Sequence, residues 1–191
     1  MQNLAQNYSF ISIFSALSWQ DFECYLVDLL ESVDFDTFRT FRYSVNGRRF
    51  EIDCLARKFN QILCIDAKRW KSKTISLSKL CKALFKQHER ALAISSSTEV
   101  SEKLLKKLHI QFKKTKNQDN IGKKPTNIAD LDYKGYEQFD LYPIILVSHK
   151  ISEIVITNEG FILDFSQFND FIQNFQQFTS DVNPIRISKN F

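Results

Sequence analysis

Residues 48–70 read RRFEIDCLARKFNQILCIDAKRW. Two runs rich in β-branched, aromatic and other apolar residues flank a short polar break, Arg57-Lys58-Phe59-Asn60. That is the pattern of a β-hairpin. Glu51 and Asp53 lie two apart on the first strand, and Asp66 and Lys68 lie two apart on the second. Strand side chains alternate between faces, so each pair points to one side of the sheet. Strand interiors are depleted in acids, so three acids and a lysine here require a reason. A divalent cation supplies one: carboxylates on adjacent strands offer hard oxygen ligands to Mg²⁺, and a neighbouring ammonium can face a phosphate.

The segment before this hairpin reads as a helix and a further strand. Ser18-Trp19-Gln20-Asp21 fits a capping box. Phe22, Leu26, Leu29, Leu30 and Val33 follow with helical spacing. On a wheel, Asp21, Asp28 and Glu31 fall on the polar side, whereas Glu23 falls inside the apolar arc. A carboxylate aimed at the core is costly unless it is paired or bound to metal; the alternative is a stripe-edge Glu reaching back to water. Residues 37–46 read as a strand in which Phe41, Tyr43 and Val45 alternate. Asn46-Gly47 is a strong hairpin signal, so three strands are expected to form an antiparallel meander. Glu51 then has two roles open to it, a reserve metal ligand or a salt bridge to Arg49 or Arg42.

After Lys68 comes a basic loop with Arg69 and Trp70, and a long helix is expected from about residues 75–77. Its expected buried face is Leu77, Leu80, Cys81, Leu84, His88 and Ala91, with Lys79, Lys82, Lys86 and Arg90 together on the opposite face. His88 reads as a satisfied core histidine. A second helix is expected from Thr98 to about His109. Residues 111–135 show no periodicity and read as a lysine-rich loop. Tyr142–Val147 is an apolar run typical of a buried strand. Two short strands, Ile154–Thr157 and Phe161–Phe165, surround a turn, and Phe168, Phe171, Ile172 and Phe175 mark a packed helix. Residues 179–191 read as a loose tail. One domain over residues 1–178 is the expected organisation.

Composition narrows the function classes. The four cysteines show no C-x-x-C spacing and the three histidines are scattered, which argues against a zinc site and for reduced thiols in a cytoplasmic protein. No run of eighteen apolar residues is present, and the apolar segment Tyr8–Trp19 lacks a basic n-region, so neither a membrane span nor a signal peptide is expected. No G-x-S-x-G, Gly-rich nucleotide loop or P-loop occurs. Eighteen Phe among 191 residues point to dense core packing. The net charge of +4 is unevenly laid out: residues 66–90 carry eight bases and two acids, and residues 103–124 carry eight lysines and one acid. Such a focus favours a polyanion partner, with a solvated lysine-rich surface as the alternative.

Asp53, followed after twelve residues by Asp66-Ala67-Lys68, resembles the PD-(D/E)xK nuclease superfamily, which includes restriction endonucleases, archaeal Holliday-junction resolvases and repair nucleases. The pattern is similar to resolvase-like and type IV restriction-like members. Ile52 stands where the eponymous proline would be. A D-x-K triplet recurs by chance, and its weight here comes from the acid-bearing strand before it, the basic helix after it and the acid-bearing helix in front. The resemblance covers roughly residues 19–92 and, more loosely, residues 142–175. It implies an α/β fold with a restriction-endonuclease-like mixed sheet flanked by helices, in a helix–meander–helix–strand core. It also implies Mg²⁺-dependent hydrolysis of DNA phosphodiester bonds, with Mn²⁺ able to substitute. Asp53, Asp66 and the Ala67 carbonyl would hold the metal, Glu23 would bind a second metal or its water, and Lys68 would orient the attacking water. Lys79, Lys82, Lys86 and Arg69 would contact nucleic acid. Monomer and homodimer both stay open. The rival is a non-catalytic nucleic-acid-binding module or nuclease-like subunit of a larger complex.

Overall fold

The computed structural model describes residues 18–69, 75–118 and 137–188. Helix α1 (Trp19–Ser32) opens on the capping box: the Asp21 amide donates to Ser18 Oγ at 3.2 Å and the Ser18 amide to Asp21 Oδ2 at 3.3 Å. Phe22, Leu26 and Leu30 recur every fourth residue and are buried. Strands β1 (Asp36–Val45) and β2 (Arg48–Lys58) are joined by Asn46-Gly47, both with positive φ, 51° and 77°. That is the two-residue turn whose twist matches a hairpin. Strand β3 (Gln61–Lys68) pairs antiparallel with β2, completing the meander.

Helices α2 (Leu77–Ser95) and α3 (Thr98–Gln118) then cross one face of the sheet. Strand β4 (Gln138–Val147) returns parallel to β3, and β6 (Gly160–Asp164) lies parallel to β4. The short β5 (Val155–Thr157) pairs antiparallel with β6. Helices α4 (Phe165–Gln173) and α5 (Phe175–Phe178) pack on the same face as α1. Strand β7 (Ile185–Ser188) pairs antiparallel with the first half of β4, the half that β6 leaves open. The result is a seven-stranded mixed sheet between two helical layers, with five helices among the described residues. It is an α/β fold of the restriction-endonuclease-like type.

The core lies in two layers. One, under α1, α4 and α5, is aromatic: Phe161 meets Phe171 at 5.0 Å, Phe171 meets Phe175 at 5.3 Å, and Tyr142 meets Phe175 at 5.1 Å. This cluster absorbs much of the Phe excess, since tilted aromatic pairs add to plain area burial. The other layer, under α2 and α3, is mostly aliphatic.

Four sequence expectations are corrected here. Residues 111–118 are the last turns of α3 rather than loop, and residues 119–135 lie outside the described residues, as does Trp70. Residues 179–188 are not a loose tail: Thr179–Asp181 form a 3₁₀ turn, and β7 buries Ile185 and Ile187. The buried face of α2 is Leu80, Leu84, Gln87, Ala91 and Ile94, while Leu77 is 57% exposed. Arg90 is only partly exposed: its guanidinium turns inward from the lysine face to Asp66.

Candidate active site

The β2–β3 ladder ends at the Cys54–Ile65 pair, one step short of Asp53 and Asp66. Just there β2 also loosens from β1. Arg39 pairs with Cys54 and Phe41 with Ile52, while Thr40 and Asp53 between them are skipped. Alternation inverts across that step in both strands: Phe38 and Phe41 face the aliphatic layer, and so do Ile52 and Leu55. Thr40 carries φ 55°, a left-handed conformation rare for a β-branched residue. Such strain persists only where the surroundings impose it, and it concentrates at functional sites.

The dislocation aims Asp53 into the gap between β2 and β3. Asp53 Oδ2 accepts from the Ala67 amide at 3.0 Å, standing in for the missing ladder carbonyl. The Lys68 carbonyl accepts from the Ser148 amide on the β4 side. Backbone groups alternate along a strand, so the Ala67 carbonyl faces the same gap as Asp53.

Asp66 is almost fully buried, 3% exposed at its side chain, and is met by two cations. Lys68 Nζ donates to it at 2.9 and 2.7 Å, and Arg90 Nη1 donates to Oδ1 at 2.9 Å. Arg90 is steered by Gln87, whose Oε1 accepts from Nη1 at 2.9 Å, and Gln87 Nε2 donates to the Cys64 carbonyl at 2.9 Å. Burial, then the neighbouring Asp66 carboxylate, push the Asp53 carboxyl up to about 6, against the downward pull of the Ala67 amide and Lys68. Two carboxyls and the Lys68 ammonium thus meet at a single point.

Gln87 and Arg90 were not anticipated, although a signal existed. Leu80, Leu84, Gln87, Ala91 and Ile94 form one helical stripe. A polar residue inside an apolar stripe is the same signal that singled out Glu23.

Glu23 does turn inward, 19% exposed at its side chain, and it pairs with Arg39 at 3.0 Å rather than with Asp53 or Asp66. It sits at the α1–β1 contact, where it and Asp53 both act on the Cys54 thiol, which burial pushes up to about 12. Glu51 pairs with Arg42 at 2.5 Å. His88 is satisfied through Nδ1 against the Glu159 carbonyl at 3.1 Å. Asp164, the other fully buried acid, caps α4 and accepts from the Ser166, Gln167 and Ile151 amides. Lys79, Lys82 and Lys86 are exposed along α2, and Arg69 is exposed just past β3.

Among the described residues no three His, Cys, Asp or Glu side chains form a metal cluster. The donors that converge are two carboxylates and one backbone carbonyl. All are hard oxygens, a set that suits a cation keeping several of its own waters, as Mg²⁺ does.

No protein-family model matches the chain, and no curated protein matches it. Among solved structures, a crystal structure of a protein of unknown function, AF1548, is similar at a TM-score of 0.38 and 16% identity, over 69% of this chain and 47% of that one. The chain thus spans about half the length of that protein.

Proposed function

We propose that the protein is a Mg²⁺-dependent endonuclease that hydrolyses DNA phosphodiester bonds. One observation carries this reading. Asp53, Asp66 and Lys68 meet where the β2–β3 ladder opens, and Asp53 is held there against both burial and a like charge. A purely structural role would not require two acids in contact, since apolar residues would close that ladder at lower cost.

Asp53, Asp66 and the Ala67 carbonyl would hold the metal. A Mg²⁺ ion held there would supply Lewis-acid chemistry at the scissile phosphate and would make a bound water more acidic. Lys68 lies beside both acids, 30% exposed, so its ammonium can reach a phosphate oxygen and counter the charge that develops in the transition state. Asp53 takes up a proton as pH falls through about 6, which discharges one of the two acids. That proton competes with the metal, so Mg²⁺ affinity is expected to fall on the acid side. Glu23 is committed to Arg39, which makes it a support for α1 against β1 in this reading rather than a ligand.

The test is a panel of labelled substrates (duplex, single strand, flap, four-way junction and RNA) incubated with Mg²⁺ or EDTA. Mg²⁺-dependent cutting of at least one DNA is the expected result. Binding without cutting across the panel would instead identify a nucleic-acid-binding module.

A further inference from the structure

Asp66 has an excess of cationic partners for a metal ligand. Lys68 and Arg90 both donate to Oδ1, and Lys68 also reaches Oδ2. Arg90 is held by Nη1 alone in its bonds to Asp66 and Gln87, and a guanidinium has five N–H donors. Arg90 also lines a cleft of about 920 Å³ bounded by the outer half of the β1–β2 hairpin, α2 and the start of α3. Arg42, Arg48, Arg49, Lys86 and Lys103 line it too, against the acids Glu51, Glu89 and Glu99.

Part of that charge is internally matched. Arg42 pairs with Glu51, and Arg48 approaches Glu89 at 3.9 Å. Lys103 donates to the Arg42 carbonyl. Arg49 and Lys86 form no ion pair with the described residues. The cleft therefore has surplus cations along its walls and, at its inner end, a guanidinium already engaged with a carboxylate oxygen. A guanidinium fork fits phosphate as well as it fits carboxylate.

Building on the nuclease reading, we propose that this cleft holds a backbone phosphate of duplex DNA, and that Arg90 passes from Asp66 to that phosphate when DNA enters, freeing Asp66 Oδ1 for the metal. The exchange trades one charge-assisted hydrogen bond for another of the same kind, so little free energy opposes it. Without DNA, Arg90 competes with the metal for Asp66. With DNA bound, that competition is gone. Metal and DNA thus favour each other's binding by the same factor.

The experiment uses the full chain, with Ca²⁺ as a metal expected to bind without supporting cleavage. Ca²⁺ affinity is measured by calorimetry without DNA, and duplex affinity by fluorescence anisotropy in EDTA across a salt series. Arg90→Gln is expected to bind Ca²⁺ about fivefold tighter than wild type or better, yet to bind duplex about tenfold weaker. An Arg90 that merely braced the fold would move both affinities in one direction or neither. The double variant Arg49→Ala/Lys86→Ala changes two exposed side chains and leaves the core intact. It is expected to flatten the slope of log affinity against log salt by about two. Unchanged or weaker Ca²⁺ binding in Arg90→Gln overturns the exchange, and an unchanged salt slope in the double variant overturns the cleft. Mg²⁺-dependent cutting by the wild type reports separately on the nuclease reading. Cutting with neither variant behaving as expected overturns this inference alone, whereas a wild type that binds neither Ca²⁺ nor duplex overturns both.

Discussion

Replacing Asp53 by Asn should make the protein more stable at pH 8 while destroying the site. In the unfolded chain this carboxyl titrates at its ordinary 3.8, and in the folded protein burial and Asp66 raise it to about 6. Below 3.8 it is protonated in both states and folding pays no charge penalty. As pH rises through about 6 the folded state must accept a charge it accommodates poorly, and that increment of stability is lost. A tenfold change in proton affinity is worth about 1.4 kcal/mol, so the full rise corresponds to about 3 kcal/mol. Solvent screening at this half-buried group reduces it to about 2 kcal/mol.

Asn keeps the geometry, because its Oδ1 can accept the Ala67 amide and its Nδ2 can donate to Asp66. Asp53→Asn should therefore exceed wild type by about 2 kcal/mol at pH 8 and match it near pH 4. Urea denaturation in EDTA, followed by circular dichroism at both pH values, measures the difference directly. The corresponding rise in Tm at pH 8 is about 4 to 8 °C for a domain of this size. Mg²⁺ should stabilise the wild type but not the variant. A variant no more stable than wild type at pH 8 would show that Asp53 is comfortable as a charge, and the argument for a strained acid pair would fail.

Asp66→Asn and Lys68→Ala should each abolish Mg²⁺-dependent cleavage; calorimetry should show metal binding weakened in the first and largely kept in the second. Near wild-type cutting by either would put the chemistry elsewhere. Ca²⁺ should support duplex binding without cleavage, since it accepts looser coordination and activates water less than Mg²⁺ or Mn²⁺; equal turnover in Ca²⁺ in a gel assay would rule out this mechanism. Gly160→Ala should cost about 3 kcal/mol or more in a urea titration. Its φ of 142° disfavours any side chain, and an added Cβ would overlap the Pro143 carbonyl; a cost below about 1 kcal/mol would mean that the β5–β6 turn shifts freely.

The sequence alone determined what local periodicity can encode. The three-strand meander, its Asn46-Gly47 turn and the Ser18 capping box follow from alternation and turn chemistry within a few residues, and the same pattern puts Asp53 on β2 and Asp66 and Lys68 on β3, whereas the aim of Asp53 comes from the step skipped between β1 and β2. The tertiary structure decided what depends on neighbours distant in the chain. The wheel places α2 on an apolar arc, but the sheet beneath selects which arc: Gln87 is buried because the Cys64 carbonyl is there to receive it, and Leu77 is left outside. The same rotation by a fraction of a turn carries Arg90 from the lysine face to Asp66. Glu23 is recognisable as inward-facing from its stripe, yet only the fold supplies Arg39, 16 residues on, as its partner. Likewise residues 185–188 contain too few apolar residues to declare a strand, and they become β7 because β6 leaves half of β4's edge unpaired. A buried polar group or a short edge strand is stable only once its partner is in place, so each was settled by the assembled sheet.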